Sequence, residues 1–361
     1  MKEGWEYKKL GEVAEVIHGK NQKDVLSEGG QYPIYGSGGN IMGYANDYLC
    51  EAGTTILGRK GSINNPQFIE ERFWNVDTAF GISAKEGYDS KFVYYFITSI
   101  NWLKKNTGTT LPSLTQQVVK SVELPIPSFS EQQSIVDYLD SAFAKIDAMK
   151  ANAEKALNEA KALFQASLKE MLEPKEGWEE KTINDVVFFR NGIAHEKDIE
   201  DSGDYVVINS KFVATGGTIR KYSNEQLSPL YINEIVMVMS DVPKGKTLAK
   251  CYIIECNNKY SLNQRICAFK SKGLDVKFLY YLLNRNPHLL KYDNGENQTN
   301  LRKKQILECP LTFPSQKNEQ QRIVICLDSL KSKVDRLQEN YDKISQECDA
   351  LKQAILRQVF E

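Results

Sequence analysis

Short runs of basic and amide side chains are the residues of this chain best suited to binding a polyanion. In the first half they are Lys20-Asn21-Gln22-Lys23, Arg59-Lys60-Gly61-Ser62 and Asn64-Asn65. In the second half they are Lys211, Arg220-Lys221, Lys244-Gly245-Lys246 and Arg302-Lys303-Lys304. Lys and Arg hold phosphates, while Arg, Lys, Asn, Gln and Ser read base edges, so these runs fit loops that reach a nucleic-acid groove. The alternative is solvated surface, the ordinary role of short basic runs.

The sequence contains no clear motif for metal binding, nucleotide binding or catalysis. None of the three histidines, His18, His195 and His288, has metal-ligand or triad spacing, so we expect surface or turn roles for them. The run from Gly36 to Asn40 lacks the Lys-Ser/Thr end of a P-loop and is interpreted as a turn. No Asn/Asp-Pro-Pro-Tyr/Phe run of the amino-methyltransferases and no nuclease-type carboxylate pair is found. The sequence therefore predicts a chain without catalytic residues, metal or bound cofactor of its own.

Composition limits the class of protein. The 361 residues carry 46 Lys and Arg against 47 Asp and Glu, for a net charge of −1, so any nucleic-acid site must be a local patch. Seven scattered cysteines without a CxxC pair favour buried thiols over disulfides or zinc. The charged N-terminus has no apolar core of a signal peptide, and no run approaches the roughly 18 apolar residues of a membrane span. We expect a cytoplasmic protein that does not enter membranes.

Two long segments with the same apolar period must position the basic runs. The first places apolar residues at Ile135, Leu139, Ala142, Ile146, Met149, Ala153, Ala156, Ala160 and Leu163. The second places them at Ile323, Leu327, Leu330, Val334, Leu337, Tyr341, Ile344, Cys348, Leu351 and Ile355. Alternating steps of four and three over about four heptads are typical of a coiled-coil seam. The sequence predicts two long helices, paired through these residues.

Further apolar residues lie outside the seam of the first helix. They are Tyr138, Phe143, Leu157, Phe164 and Leu168. An apolar surface broader than a two-stranded seam requires favours a docking surface for a partner protein. The alternative is a purely structural spacer with solvated outer faces.

The chain contains an internal repeat. Lys2-Glu3-Gly4-Trp5-Glu6 returns as Lys175-Glu176-Gly177-Trp178-Glu179, and Glu-Gln-Gln-x-Ile-Val begins both long helices, at Glu131 and Glu319. The repeat divides the chain into a first domain (1–130), a central helix (131–173), a second domain (174–318) and a C-terminal helix (319–361). Short runs rich in Val, Ile, Tyr and Thr, broken by Gly, Asn and Asp, predict that both domains are β-rich α+β globules.

Connectivity predicts how the helices pair. At ~1.5 Å per residue each helix is about 60 Å long. Glu173-Pro174 leaves almost no linker before the second domain. A parallel pair would force that domain to reach back along the whole first helix, whereas an antiparallel pair requires no such connection. We expect an antiparallel pair that separates the two domains and gives the chain a pseudo-twofold arrangement.

These features together resemble one family. Two domains, each ending in a Pro-containing strand, a Glu-Gln-Gln-x-Ile-Val start and a heptad helix, are similar to the specificity subunit of type I restriction-modification systems. The runs Leu10-Gly11-Glu12-Val13, Gly58-Arg59-Lys60-Gly61-Ser62, Trp74-Asn75-Val76-Asp77-Thr78-Ala79-Phe80 and Leu111-Pro112-Ser113-Leu114 also carry the resemblance. In the second half, Met239 to Lys246 replaces the Gly-Arg-Lys-Gly-Ser run, and Gln298-Thr299-Asn300-Leu301 replaces the Leu-Pro-Ser-Leu run.

The resemblance implies a function for every part of the chain. Each domain would read one half of a split double-stranded DNA sequence, and the helices would set the spacing and dock two methyltransferase subunits. S-adenosylmethionine, ATP and Mg would be bound by those subunits and by the restriction/translocase subunits, not by this chain. A non-catalytic protein-interaction scaffold or inhibitor on the same frame, without DNA binding, is the alternative that the near-neutral charge permits. A fragment of a fused methyltransferase-nuclease is disfavoured because both ends of the chain complete the repeat.

Overall fold

The chain folds into two compact units. The computed structural model describes residues 4–195, 199–242 and 245–361. The first unit consists of Met1–Lys155 with Glu339–Glu361, and the second is Ala156–Gln338. Each unit contains one repeat of the domain, the N-terminal part of the long helix that follows it and the C-terminal part of the other long helix. The helices predicted as spacer segments are thus divided between the two units.

The first repeat begins with a strand and ends at a long helix. Its elements in chain order are β1 (Glu6–Lys9), α1 (Leu10–Val13), β2 (Ala14–His18), β3 (Tyr32–Tyr35), β4 (Ile41–Ala45), β5 (Thr54–Gly58), β6 (Gln67–Ile69), β7 (Trp74–Asn75), β8 (Ala79–Ala84), α2 (Ser90–Ser99), a 3₁₀ turn (Trp102–Lys105), α3 (Gln116–Lys120), β9 (Glu123–Ile126) and α4 (Phe129–Leu172). Short strands with one or two buried faces and few helices are what the β-rich pattern predicts.

The second repeat follows the same order with additions. Its elements are β10 (Glu179–Thr182), α5 (Ile183–Val186), β11 (Val187–Asn191), β12 (Tyr205–Ile208), α6 (Ser210–Ala214), β13 (Tyr222–Ser223), β14 (Ile235–Val238), β15 (Ser240–Asp241), β16 (Cys251–Ile253), β17 (Tyr260–Leu262), β18 (Ile266–Ser271), α7 (Val276–Leu283), α8 (Pro287–Leu290), β19 (Thr299–Asn300), α9 (Lys303–Leu307), β20 (Pro310–Phe313) and α10 (Lys317–Phe360). The long helices α4 and α10 each have 44 residues and begin two residues before the predicted boundaries.

Sheet order confirms the repeat. The first unit has a four-stranded sheet in the order β2-β8-β5-β6 and a three-stranded sheet in the order β4-β3-β7. The second unit has β11-β18-β14-β16 and β13-β12-β17, the same positions one repeat later. In both three-stranded sheets the central strand has one parallel partner, β7 or β17. The carboxyl ends of the parallel pair lie at the same edge of the sheet, so the loops that follow them emerge together.

Each core is closed by both long helices. In the first unit, Leu139 of α4 and Leu356 of α10 are fully buried in the same cluster as Phe92 and Trp102 of the domain. The ring of Phe360, near the end of α10, lies 5.3 Å from that of Phe92. Burying a side chain of this size stabilises the fold by roughly 1.5–3 kcal/mol, so both helices contribute to the core of the first domain.

The repeated Glu-Gln-Gln motif fastens each domain to its helix. Gln132 is 1 % exposed; its amide oxygen accepts from Asp89 N at 2.9 Å and its nitrogen donates to Pro127 O at 3.1 Å. Gln320 makes the same two bonds one repeat later, to Asp275 N at 3.0 Å and Pro314 O at 2.9 Å. A buried amide with both ends satisfied explains why the sequence repeats it.

Repeated carboxylates also join the domains to the helices. Asp140 accepts hydrogen bonds from Lys91, at 3.0 Å, and from Tyr95. Its counterpart Asp328 accepts from Lys277 and from Tyr281, the latter at 2.7 Å. Burial and the carboxylate partner raise the pKa of both tyrosines, which therefore remain protonated donors.

The predicted pairing direction is confirmed within each unit. In the first unit Asp147 pairs with Lys352 at 2.6 Å and Lys150 with Asp349 at 3.3 Å. Residue numbers therefore increase along one helix and decrease along the other in the same direction. In the second unit Lys161 donates to Gln338 at 2.7 Å, while the segment from Phe164 to Leu172 shares a core cluster with the start of α10. Both contacts require antiparallel helices.

The seam predicted for α4 holds at Leu139 and Ile146, which are buried, but is wrong at Met149, Ala156 and Leu163. Met149 and Leu163, expected in the seam, are each 59 % exposed, whereas Leu157, expected outside it, is 3 % exposed. At two of these positions the next residue, which has the larger side chain, is the more buried one: Leu157 instead of Ala156 and Phe164 instead of Leu163. Larger apolar side chains win because the free energy of burial grows with apolar area. In α10 the predicted seam holds to Cys348 and then shifts, leaving Leu351 47 % exposed.

Candidate nucleic-acid interface

The loop after β2 is held against the ends of two neighbouring strands. Gly19 N donates to Ala79 O at 3.0 Å and Lys20 N donates to Asn75 O at 3.0 Å. A Cβ on Gly19 would lie 1.9 Å from the carbonyl oxygen of Val76, so only glycine fits. The following turn is closed by the side chain of Asn21, which accepts from Lys23 N at 3.0 Å. Lys20 and Lys23 are thereby presented as exposed side chains on a fixed backbone.

Three of the motifs that carry the family resemblance meet in space. The backbone nitrogens of Arg59 and Lys60 both donate to Thr78 O, at 2.8 and 3.1 Å. Arg59 Nε donates to Asp77 O at 3.0 Å. On the other side Leu114 N donates to Arg59 O at 2.9 Å, and Gly61 N donates to Pro112 O at 2.9 Å. The basic run from Arg59 to Ser62 is therefore clamped between the Trp74–Phe80 and Leu111–Leu114 runs.

The glycine-rich run after β3 is the predicted turn. Gly36 N donates to Asn40 O at 2.9 Å and Gly39, at φ +81°, donates to Gly36 O at 3.0 Å. A Cβ on Gly38 would lie 3.4 Å from Ser62 Oγ, which places this turn beside the Arg59–Ser62 run. We call this turn, with the Lys20–Lys23 and Arg59–Ser62 runs, the first loop cluster.

Asn64 and Asn65 lie elsewhere in the first unit. The side-chain oxygen of Asn64 accepts from Trp102 N at 2.7 Å, so it supports the 3₁₀ turn. Both asparagines line a cavity of about 1140 Å³ together with Lys104, Lys105 and the end of α10. Neither is brought to the first loop cluster by a hydrogen bond of the described residues.

The second unit builds the same backbone framework from different residues. Met239 N donates to Arg265 O at 3.0 Å and Leu301 N donates to Met239 O at 2.8 Å, the counterparts of the bonds around Arg59. Ser240 and Asp241 pair with Asn300 and Thr299 as β15 and β19. The predicted correspondence between the two sets of loops is confirmed.

One carboxylate organises the basic loop of the second unit. Asp241 accepts from Val242 N at 2.9 Å, Thr247 N at 2.7 Å and Leu248 N at 3.0 Å. A Cβ on Gly245 would lie 2.2 Å from the carboxyl carbon of Asp241, so this loop also requires glycine. Burial opposes ionisation of Asp241, but the amide bonds outweigh it and lower its pKa. Exposed Lys246 lies on this loop, while Lys244 lies outside the described residues.

Replacing Asp241 with Ala should destabilise the fold by about 1–3 kcal/mol, because three amide donors lose their acceptor. The lowered pKa means that the contribution is present above the ordinary value of 3.8 and is lost as pH falls through the folded-state pKa. Urea unfolding at pH 7 and at pH 3 measures this difference. The isosteric Asp241→Asn variant is the control, because it keeps the shape of the side chain and removes its charge. If the wild-type protein were more stable than this variant by the same free energy at pH 3 as at pH 7, the role of the charge would be contradicted.

The remaining basic residues of the second unit have mixed surroundings. Lys211 is exposed on α6, and Arg220 Nε donates to Gly217 O at 2.9 Å. Lys221 forms an ion pair with Asp201, and Lys304 lies 3.8 Å from Glu308. Exposed Arg302 follows the Leu301 clamp directly, and Lys303 stacks over the ring of Phe189 at 5.4 Å. Arg302 and Lys246 are thus the predicted cations most closely tied to the framework.

Sequence reasoning missed Arg265. Its carbonyl accepts from Met239 N, and its side chain is exposed at the position that Thr78 occupies in the first repeat. Adding 187 to the numbers of the Trp74–Phe80 run gives Ser261 to Cys267, but the two runs share no residue at equivalent positions. The residue types differ so much that only the structure shows the equivalence.

The predicted docking residues of α4 differ in how far they are exposed. Tyr138 is 54 % exposed and remains available to a partner. Leu157 is buried, and Phe143 packs against Tyr95 with ring centroids 5.4 Å apart, so both are covered within the chain. Phe164 and Leu168 are half-buried and line a cavity of about 830 Å³ in the second unit. The broad apolar surface of α4 mostly packs on the chain's own domains.

The expectation of a surface or turn role is wrong for His195. This side chain is fully buried, with Nδ1 2.7 Å from Ile193 O and Nε2 2.7 Å from Ser261 Oγ. Since Ile193 O can only accept, Nδ1 carries the proton and the Ser261 hydroxyl donates to Nε2. His18 is exposed and His288 half-buried. In the described ranges no group of three or more His, Cys, Asp or Glu side chains is placed to hold a metal.

The cysteines are free thiols. Five of them, Cys50, Cys251, Cys267, Cys309 and Cys348, are buried, as predicted. Burial raises the pKa of Cys50 and of Cys309 to about 12, so both remain protonated and unreactive. Among the described residues no helix is both long and apolar enough to cross a membrane.

Sequence comparison places both repeats in one family. The type I restriction modification DNA specificity domain matches residues 2–159 and again residues 175–346. The chain is 29 % identical over 145 residues to a putative type I restriction enzyme specificity subunit of Haemophilus influenzae, which is 38 % of this chain and 37 % of that protein. It is 23 % identical over 166 residues to the Escherichia coli EcoDI specificity subunit, covering 45 % of this chain. Each match spans about 37 % of the relative's length.

Solved structures share the fold. A structure described under complex assembly and conformational transition of the type I R-M system aligns with a TM-score of 0.76 at 17 % identity, over 99 % of this chain and 97 % of that one. The HsdS subunit from Thermoanaerobacter tengcongensis aligns with a TM-score of 0.53 at 17 % identity, over 100 % and 97 % of the two chains. Because the two domain matches span most of the sequence and coincide with the two copies of the loop framework, the chain belongs to the family of type I restriction-modification DNA specificity domains.

Proposed function

We propose that this chain is the DNA-binding specificity subunit of a type I restriction-modification complex, in which each repeat reads one half of a bipartite double-stranded target. The observation that carries the proposal is a shared backbone framework with unlike loops. The clamp that holds Arg59 and Lys60 in the first unit holds Met239 and Ser240 in the second. Two domains that share a backbone framework but carry different side chains at equivalent loop positions are suited to two different half-sites.

Phosphate and base contacts come from different parts of each loop cluster. Exposed Lys20, Lys23 and Lys60 in the first unit, with Lys246 and Arg302 in the second, hold the DNA backbone. Asn and Ser side chains of the same loops, such as Asn21 and Ser62, read base edges. Lys221 and Lys304, each with a carboxylate partner, contribute less because an ion pair already offsets their charge.

The chain itself performs no reaction in this proposal. Two methyltransferase subunits dock on the outer faces of α4 and α10, where Tyr138 is exposed, and bind S-adenosylmethionine. Restriction/translocase subunits join through the complex and use ATP and Mg. The names of the relatives, both specificity subunits of type I restriction enzymes, support this assignment of partners.

The test is a gel-shift titration of the full-length chain, with its methyltransferase partner, against the sequence found methylated in host DNA. Specific binding in competition with scrambled DNA supports the proposal. Formation of the protein complex without any DNA shift would instead support a scaffold or inhibitor on the same frame. The net charge of −1 is compatible with that second function, because it gives the chain no overall attraction for DNA.

Helix length should set the spacing between the half-sites. Inserting one heptad after Lys155 in α4 and a matching heptad after Gln338 in α10 adds about 10.5 Å to each helix. At ~3.4 Å per base pair, the preferred spacer in the target should lengthen by about three base pairs. Methylation of a spacer library reads the outcome. Insertions of three residues change the seam phase and serve as the control; an unchanged spacer in the heptad variant would contradict the role of the helices.

A further inference from the structure

Three exposed apolar side chains lie on or next to an edge strand of the first unit. Leu26 is 57 % exposed, and Ile41 and Met42 on β4 are each 50 % exposed. β4 is the outer strand of the sheet β4-β3-β7. Exposed apolar groups of this kind, gathered at one place, mark an interaction surface more often than single ones do. We call Leu26, Ile41 and Met42 the β4 patch.

A register shift opposite Ile34 and Tyr35 makes Met42 an extra residue of β4, so Ile41 and Met42 do not alternate across the strand as neighbours in a regular strand do. Leu26 forms a bridge with Ala45, the last residue of β4. A Cβ on Gly43 would lie 2.6 Å from Leu26 Cδ1, and Gly43 also has φ +150°, so glycine leaves the room that Leu26 occupies. Met42 Sδ lies 3.1 Å from the position of a Cβ on Gly36. The patch is therefore continuous with the turn that begins at Gly36.

The β4 patch is bordered by the cations of the first loop cluster. Val25 N and Leu26 N donate to Gln22 O at 3.2 and 2.9 Å, so Leu26 belongs to the same compact turn as Lys23. The Gly36–Asn40 turn, at the other side of Met42, lies beside Ser62. Lys20, Lys23 and Lys60 are exposed and form no ion pair with any residue that the structure describes. The apolar patch is thus edged by unpaired positive charge.

An occupant of this surface must carry both negative charge and small apolar groups. Duplex DNA does, and in its major groove the apolar group on the base edges is the 5-methyl of thymine. We propose that Ile41 and Met42 contact thymine methyl groups, so that the β4 patch determines part of the sequence preference of the first domain. This inference rests on the proposed DNA binding and adds the chemical group that is read.

Salt dependence separates this contact from phosphate binding. Ile41→Ser and Met42→Ser should each weaken binding of the target DNA by about four- to tenfold and leave the slope of log K against log salt unchanged, because no counterion is involved. The ratio of target to scrambled DNA affinity should fall with it. Replacing thymine with deoxyuridine in the target should weaken wild-type binding by about fourfold for each lost methyl contact, and this loss should shrink in both variants.

Leu103→Ser is the matched control, since Leu103 is 54 % exposed on the 3₁₀ turn of the same unit, away from the long helices' proposed docking faces. Thermal unfolding of all variants checks that the fold is retained. Equal sensitivity of wild type and patch variants to deoxyuridine would overturn the proposal, as would patch variants that lose only self-association or partner binding. Failure of the wild-type protein to bind any DNA would remove the proposed function as well, which distinguishes the two failures.

Discussion

Reversing the charge of Lys20, Lys23 and Lys60 together, each to Glu, is expected to weaken DNA binding by about two to three orders of magnitude near 0.1 M salt. These side chains are exposed on loops whose backbones are fixed by bonds to Asn75 and Thr78. Each phosphate contact that is lost also removes roughly 0.9 from the salt slope, so the slope should fall by about 2.7. Fluorescence anisotropy titrations at several salt concentrations measure both quantities.

The matched control changes net charge by the same amount at another place. Lys104, Lys105 and Lys120 are exposed in the same unit, and the first two line the cavity beside Asn64. Their triple Glu variant should retain most of the affinity and nearly all of the salt slope. If both triple variants lost affinity equally, the effect would come from the overall charge of the unit, and the first loop cluster would not be the contact surface.

Replacing Leu157 with Ala should destabilise the second unit by about 2–4 kcal/mol, because a fully buried leucine leaves a cavity in the helix pair. Leu157 is 3 % exposed. The matched change Leu163→Ala, at a residue 59 % exposed on the same helix, should alter stability by no more than about 0.5 kcal/mol. Alanine favours helix at least as well as leucine, so helix propensity does not explain the difference.

Urea unfolding of both variants measures this pair. The comparison distinguishes the observed seam from the one expected from the heptad pattern, since the pattern assigns Leu163 to the seam and the structure assigns Leu157. A larger loss of stability for Leu163→Ala than for Leu157→Ala would return the helix to the predicted phase and contradict the packing described above.

The repeat and the fold class could be predicted because they rest on local signals. The Glu-Gln-Gln motif at Glu131 and Glu319, the repeated Lys-Glu-Gly-Trp-Glu opening and the alternating β runs are short patterns that can be read directly from the sequence. Connectivity alone gave the direction of helix pairing. Each of these inferences uses residues near in sequence or a constraint on chain length.

The phase of the seam could not be predicted from period alone. A straight helix has 3.6 residues per turn and drifts against a 3.5-residue pattern, so adjacent stripes compete. Ala156 and Leu157 are both apolar, and so are Leu163 and Phe164. Which member is buried depends on the shape of the opposing surface, and that surface is built by residues more than a hundred positions away.

The sequence predicted the basic runs of the proposed site but not Arg265 or the β4 patch. Arg265 and the β4 patch lie in segments whose residue types carry no motif, and they join the site only through strand pairing. Asn64 has a structural role that the sequence did not predict, since its side-chain oxygen accepts a hydrogen bond from Trp102 N. Side-chain chemistry predicts what a residue is able to bind, but only long-range pairing decides what it faces.

The division of the chain into units has a consequence for synthesis on the ribosome. Residues Ala156–Gln338 form a continuous stretch, so the second unit has all its parts as soon as that stretch has emerged. The core of the first unit includes Leu356 and Phe360, which follow the whole second repeat in the chain. The first domain therefore keeps part of its apolar interior exposed to water until Leu356 and Phe360 have emerged from the ribosome.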